Sequence, residues 1–412
     1  MKQTLNITRM GLQGDGIAET ANGLVFVPGA LPGETVGAEV TDGRAEVFDL
    51  ITASPDRQPI HSEIYAETGV APLQFWADQP YLAFKREIVL AALKKENIET
   101  EVEATIAVPP ATRRRIALHA RKGPNGRVVL GFKARKSWRV IELTDCPVSD
   151  PALVASLVSL RPVAAPFLAH PKSAPTLHVT LTETGLDVDV TGVEKRSLTA
   201  DMTAQAIAAA HQANLARLSL DGDTLVMARQ PRVTFGKASV PLPPAAFLQA
   251  APAAEAAMVE RAVAAVKGAK KVADLFCGAG TFTFPLAQVA SVVAADSSAS
   301  AIAALKAGVS SAQGLKTIEA QARDLFRRPM SPYDLKGCEA IVLDPPRAGA
   351  LEQTQQLPGT KASTVVGISC NPVTFARDAR VLLDAGFKLD VVTPIDQFLW
   401  STHVELVGIF RR

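Results

Sequence analysis

The sequence predicts a multidomain α/β protein whose C-terminal part is a parallel, doubly wound sheet, preceded by a small N-terminal β-barrel and a β-rich middle. Three observations carry that reading. A chain of 412 residues exceeds what one hydrophobic core organises. Helix and strand candidates alternate from residue 247 onward, as in successive βαβ units. Short β-rich runs broken by glycine and proline fill residues 1–56, as in a small barrel.

Leu5, Ile7 and Met10 open the first strand, and Gly11, Gly14 and Gly16 punctuate it. Leu24-Val25-Phe26-Val27 is a second β-rich run closed by Pro28-Gly29. The turn Pro32-Gly33-Glu34 leads into Val36–Val40, and Ser54-Pro55-Asp56 ends the module. From Tyr81 to Ile98 the apolar residues Leu82, Ile88, Val89, Ala92 and Leu93 recur near 3.6-residue spacing and predict a helix. Residues 111–246 read as mostly β, with strands at Ile116–Leu118, Val128–Leu130 and Leu177–Leu181 and an alanine-rich helix over 204–217. An amphipathic helix, Ala253–Val266, leads into the buried strand Val272–Phe276. The alternation continues through Ser291–Ala295, Ala299–Gly308, Glu339–Leu343, Ala362–Ile368, Thr374–Ala385, Leu389–Val392 and Val404–Phe410.

Composition narrows the class further. Hydrophobic residues at 48% and charged residues at 20% exclude broad disorder. No run reaches the roughly 18 apolar residues of a membrane span, and the N-terminal residues lack the apolar core of a signal peptide. The four cysteines have neither disulfide-framework nor zinc spacing. A cytoplasmic protein is the expectation. The net charge of +2 hides an asymmetry, because residues 113–139 contain ten basic residues and no acid: Arg113, Arg114, Arg115, Arg121, Lys122, Arg127, Lys133, Arg135, Lys136 and Arg139. A polyanion partner or a solvated basic sheet face would each account for it.

Four motifs carry chemistry. In Asp274-Leu275-Phe276-Cys277-Gly278-Ala279-Gly280-Thr281 a strand ends at a glycine turn where a ligand can approach the backbone. Asp296 ends the next strand, where an acid can accept ribose hydroxyls, so a nucleoside cofactor is expected although Thr283 fills the third glycine position of the dinucleotide fingerprint. Asp344-Pro345-Pro346-Arg347 sits at another strand end, the ligand edge of such a sheet. In Ser369-Cys370-Asn371-Pro372 the cysteine is either a cleft nucleophile or an inert core thiol. Finally, Asp396–Glu405 offers His403 and Glu405 just before the closing strand, where Glu405 is a candidate base or an ordinary surface acid.

Taken together and in this order, DLFCGAG, DPPR, SCNP and HVE resemble the RNA 5-methyluridine (uracil-C5) methyltransferase family. The resemblance spans nearly the whole chain. Residues 1–56, with GLQGDGIAE and VFVPGALPGE, resemble the TRAM domain, an OB-like barrel that many members carry for RNA binding. Phe247-Leu248-Gln249 resembles the family's cofactor element, and Gly131–Ser137 with Cys146-Pro147 resembles its central domain. The family's ribosomal RNA branch usually bears a TRAM domain. The resemblance implies a TRAM-like domain at 1–56, a central RNA-binding domain at 57–82 and 111–246, and a Rossmann-like class I S-adenosylmethionine methyltransferase domain at 83–110 and 247–412.

It further implies methyl transfer from S-adenosyl-L-methionine to C5 of a uridine in structured RNA, with 23S ribosomal RNA the expected target. Cys370 would be the nucleophile that adds at C6, and Glu405 the base that removes the C5 proton. Gln249, Phe276, Thr281, Asp296, Asp324 and Asp344 would line the cofactor, and the basic run would hold phosphates around a flipped base. A tRNA uracil-5 enzyme, an RNA cytosine-5 enzyme and an inactive RNA-binding factor are the alternatives. Neither a membrane nor an obligate protein partner is implied. Many relatives hold an iron–sulfur cluster on four cysteines. Here Ser62, Thr68 and Ala71 stand at three of those positions and only Cys146 remains, so no cluster is expected and Phe75 and Trp76 supply packing instead. Leu399 also replaces a usual proline.

Overall fold

A computed structural model describes all residues except 1, 136, 171, 195 and 197, so Lys136 of the basic run lies outside the described residues. The first sheet is antiparallel, in the order Gly23–Pro28, Asp15–Thr20, Lys2–Met10, Thr35–Glu39, Phe48–Thr52. A bridge between Phe26 and Arg44 brings the chain back towards the opposite edge. Alternation places Leu5, Ile7, Val25, Val27, Val36 and Ala38 inside, a small core for a small module. Glu34 fixes the exit: its buried carboxylate accepts from Leu31 N and Ser54 N and pairs with Arg57.

The middle sheet has seven strands in the order Asp223–Met227, Arg217–Leu220, Gly185–Thr191, Thr176–Thr182, Arg115–Lys122, Val128–Lys133, Val140–Glu142. One face packs on helices that the sequence reading does not anticipate, Pro151–Ala155 and Leu157–Ala164, and on the helix Ala200–Gln212. Pro162 lies inside the second of these and disguises it as a break. The alanine-rich helix also ends earlier than 217. Asn214 takes φ 53°, and Arg217 begins a strand because its guanidinium pairs with buried Asp187 on the parallel neighbour.

The third sheet runs Ile318–Ala322, Ser291–Asp296, Lys271–Leu275, Ala340–Leu343, Thr364–Ser369, Glu405–Arg411, Lys388–Ile395, Glu101–Val102. Its first five strands are parallel, whereas Glu405–Arg411 runs antiparallel to both of its neighbours. The chain reverses its direction of travel across the sheet between Lys271–Leu275 and Ala340–Leu343, which makes their C-terminal ends the ligand crevice of an open α/β sheet. Helix Asp78–Lys95 joins two cores, with Tyr81 and Phe84 in the central one and Val89, Ala92 and Leu93 against the third sheet. Among the described residues, no helix is long and apolar enough to cross a membrane.

Candidate active site

The glycine loop after Lys271–Leu275 is bent by Phe276 at φ 64°, and Phe276 N and Cys277 N both donate to Ala295 O of the adjoining strand. Gly278 at φ 53° has open space where a side chain would stand, while Gly280 is held against the ring of Phe284. Asp296 accepts from Gly278 N at 3.0 Å and Ser298 N at 2.8 Å, so its carboxylate braces the loop from the next strand end. Asp324, after the outermost strand, accepts from Phe326 N, and the Phe326 ring lies 5.5 Å from that of Phe276. Thr281, next along the loop, lines a groove of ≈560 Å³ with Pro252, Glu255 and Pro285.

Acids crowd these strand ends. Asp274 is fully buried, accepts from Thr283 Oγ1, and leaves its second oxygen without a partner. Burial and the charge of Asp296 push it up to about 7. Asp344 is likewise pushed up to about 7, by burial and by Asp274, against a hydrogen bond from Gln249. An anionic crevice with an orphaned carboxylate oxygen, beside an open glycine turn, fits a nucleoside cofactor that carries a positive sulfonium.

A second cluster continues from the first. Gln249 Nε2 donates to Asp344 at 3.1 Å, Gln397 Nε2 donates to Gln249 Oε1 and to Glu405 Oε1 at 3.0 Å each, and Gln397 Oε1 accepts from Ala250 N at 3.1 Å. Glu405, 5% exposed, is pushed up to about 8 by burial and then by Asp344. It lines a cleft of ≈400 Å³ together with Cys370, Gln397, Phe247, Arg115 and His178. Cys370 follows the strand Thr364–Ser369 and precedes the helix Pro372–Asp384, which Asn371 caps through Val373 N. Burial, then Glu405 and Asp344, push the thiol up to about 11, with Arg347 pulling the other way. His403 does not share this cleft; it lines the adjoining cavity of ≈430 Å³.

The basic run corrects one expectation. It contains no acid in sequence, but the fold supplies carboxylates from elsewhere: Arg114 pairs with Glu255, Arg127 with Glu142, and Arg139 with Glu67. Arg114 Nε donates to Gln249 O and Arg115 Nη1 to Leu248 O, so these two clamp the backbone of the Phe247–Gln249 element rather than standing free for phosphate. Lys133, by contrast, lies over the exposed ring of Trp138. Neither this clamp nor Gln397 is singled out by the sequence. A lone glutamine beside Asp396 is the only signal for the latter.

At the positions that the family resemblance assigns to cluster cysteines, Ser62 and Thr68 are buried and Cys146 Sγ contacts Tyr65 OH at 3.2 Å and Ser149 Oγ at 3.1 Å. The Gln74 side chain accepts from His61 N and Ser62 N. Phe75 and Trp76 are buried beside them, with Trp76 5.3 Å from Phe84. Among the described residues, no group of three or more His, Cys, Asp or Glu is placed to hold a metal ion. The donor set does not fit a cluster.

Residues 193–412 match the tRNA (Uracil-5-)-methyltransferase family, and residues 2–47 match the TRAM domain. An RNA methyltransferase of Caulobacter vibrioides is 56% identical over the full length of both chains. The 23S rRNA (uracil(1939)-C(5))-methyltransferase RlmD of Methylococcus capsulatus is 30% identical, covering 97% of this chain and 94% of its own. The fold is shared with the Pyrococcus abyssi tRNA (uracil-54, C5)-methyltransferase, with a TM-score of 0.76 and 22% identity over 100% of both chains. Cofactor crevice, TRAM module and full-length relatives agree: the chain belongs to the uracil-C5 RNA methyltransferase family and is an S-adenosylmethionine-dependent RNA methyltransferase.

Proposed function

We propose that this enzyme methylates C5 of a uridine in tRNA or ribosomal RNA through a covalent bond between Cys370 and C6 of the base. The observation that carries the proposal is the shared cleft of Cys370 and Glu405, two groups from different strand ends. S-adenosylmethionine, when bound, supplies an electrophilic methyl group on a sulfonium. Gln249, Phe276, Thr281, Asp296, Asp324 and Asp344 would hold it. Cys370 Sγ gives up its proton to solvent and, as thiolate, forms a bond to C6, and the C5=C6 electron pair makes C5 nucleophilic. Once C5 carries the new methyl group, Glu405 removes its proton. That electron pair restores C5=C6 and expels Cys370 as thiolate. In the free protein burial and two acids keep Cys370 a thiol, which protects it from stray electrophiles.

We take the chain to work in three parts: 1–56 and the open sheet face of 57–82 with 111–246 on RNA, and 83–110 with 247–412 on chemistry. Arg121 and Lys133 lie on that open face and carry its positive charge, while burial and then these two cations hold the His119 imidazole between them below its usual pKa. A TRAM module does not by itself favour ribosomal RNA, because a tRNA enzyme shares the fold over its whole length. The family description favours tRNA, and the Methylococcus relative favours 23S rRNA.

The test is incubation with tritiated-methyl cofactor and unmodified tRNA or ribosomal RNA, beside Cys370→Ala, followed by nucleoside separation. Label in 5-methyluridine that the variant abolishes is expected, and the labelled RNA names the substrate. Label in 5-methylcytidine, or none in either RNA with cofactor bound, would overturn the proposal.

A further inference from the structure

Gln397 occupies a place in the site that no motif assigns. Its amide orientation is fixed by its neighbours, since Oε1 faces the N–H groups of Ala250 at 3.1 Å and Ala251 at 3.5 Å. Nε2 must then spend its two hydrogens on Gln249 Oε1 and Glu405 Oε1. Gln249 passes its own N–H to Asp344. The two acids are thus the ends of a two-amide bridge, and Gln249, Gln397 and Glu405 are all 5% exposed or less.

We propose that Gln397 is a positioning residue that aims Glu405 into the Cys370 cleft, holds it ready to ionise, and locks the Phe247–Gln249 element to the strand that carries the base. The inference rests on the role proposed above for Glu405. The chemistry follows from the donor count. A buried carboxylate that receives one strong N–H ionises more readily than one that receives none, and a glutamine is the side chain that can give that N–H while accepting from a backbone amide at its other end. The groups that face Glu405 are Asp344 and Cys370 from their strand ends, and Arg113, Arg115 and His178 line the same cleft. Among these, Asp344 opposes ionisation and the Gln397 hydrogen bond favours it.

The test uses Gln397→Met, which keeps length and loses both ends of the bridge. Gln397→Glu serves as a second variant that keeps an acceptor for Ala250 but removes the donated N–H. The first readout needs neither RNA nor cofactor: the rate of Cys370 alkylation by iodoacetamide from pH 7.5 to 9.5, with Cys370→Ser giving the background of the three buried cysteines. Without the donated N–H, Glu405 keeps its proton to higher pH and repels the thiolate less. Alkylation near pH 8.5 in Gln397→Met is therefore expected to rise roughly threefold. The rise must vanish when Glu405→Gln is added; a rise that persists there reports mere loosening and overturns the proposal, as does no rise in the single variant.

The second readout is the pH profile of methyl transfer. Its acid limb is expected to move up by about one pH unit in both variants, with KM for RNA unchanged. A uniform loss at every pH would overturn the proposal. If the wild type labels no RNA, the proposed reaction fails, while the alkylation series still decides the bridge.

Discussion

The loop that ends in Glu405 depends on one buried ion pair, and removing it should cost far more than breaking an exposed pair. Lys85 and Asp396 have side chains with no exposed surface, and they approach to 2.7 Å. Asp396 Oδ1 also accepts from Tyr81 OH at 2.8 Å, while its other oxygen has no partner. Lys85 Nζ further donates to the carbonyls of Phe398, at 3.2 Å, and His403. The ammonium therefore ties helix Asp78–Lys95 to both sides of the turn at Trp400, which sits in left-handed backbone at φ 58°. Lys85→Met leaves Asp396 buried with one donor, a loss worth about 3–5 kcal/mol at pH 8.

The cost should shrink at pH 5. Burial already raises Asp396, and without Lys85 it would fold as the neutral acid. Its folded pKa would then lie above the unfolded one, so the variant loses stability as pH rises through that interval. Urea unfolding followed by tryptophan fluorescence, to which Trp400 contributes through its stack on His61 at 4.1 Å, measures both values. Adding Asp396→Asn should recover part of the loss, because a neutral side chain tolerates the site better than an unpaired charge. A cost below about 1 kcal/mol at pH 8, or one equal at both pH values, would refute the reasoning.

Glu405, with its folded pKa pushed up to about 8 from 4.5, binds its proton more tightly folded than unfolded. Its burial therefore removes stability as pH climbs from about 4.5 to 8, by up to about 4 kcal/mol; Glu405→Gln should flatten that decline in a series of Tm values from pH 5 to pH 8.5. Tyr65→Phe deletes the hydroxyl that meets Cys146 Sγ and accepts from Val148 N, and should cost about 1–3 kcal/mol by denaturant unfolding with methyl transfer intact. Arg114→Ala should raise KM for the cofactor by releasing the backbone at Gln249 and leave the salt dependence of RNA binding unchanged. Lys133→Ala should instead reduce that salt slope by about 1, as a phosphate contact would.

What the sequence discloses and what it hides differ by distance along the chain. Asp274, Cys370 and Glu405 each stand in a short motif where a strand meets a turn, so their positions on the ligand edge are written locally, and the alternation of strands and helices says which edge that is. The seven-stranded sheet is less legible because its helices carry no charged stripe and one contains a proline. The bridge from Asp344 to Glu405 is written nowhere, since Gln249 and Gln397 stand 148 residues apart and meet only in the folded chain. Arg114 misleads for the same reason: its partner Glu255 lies far away in sequence, and a run of bases looks free until the fold supplies the acids.

The same long-range contacts hold the region where the family resemblance places cluster cysteines. Cys146 remains, but its sulfur now closes a polar contact with Tyr65 and Ser149 between the helix Glu63–Thr68 and the segment after Glu142. The segment before it is held by Gln74, whose amide takes three backbone partners at His61 and Ser62. Each of these is a bond of ordinary strength, about 1 kcal/mol, in place of four metal–sulfur bonds. The apolar surroundings of Leu73, Trp76 and Phe84 therefore have to carry most of the cohesion. That region also receives the loop before Glu405, because Leu73 N donates to Trp400 O and a side chain on Gly14 of the N-terminal module would strike Thr402. Packing that replaces the cluster is thus in direct contact with the loop that carries the base. A substitution such as Leu73→Ala should then lower methyl transfer as well as stability, although Leu73 touches neither RNA nor cofactor in the proposed reaction. Equal loss of stability with full activity would separate the two and leave the cluster's replacement a matter of folding alone.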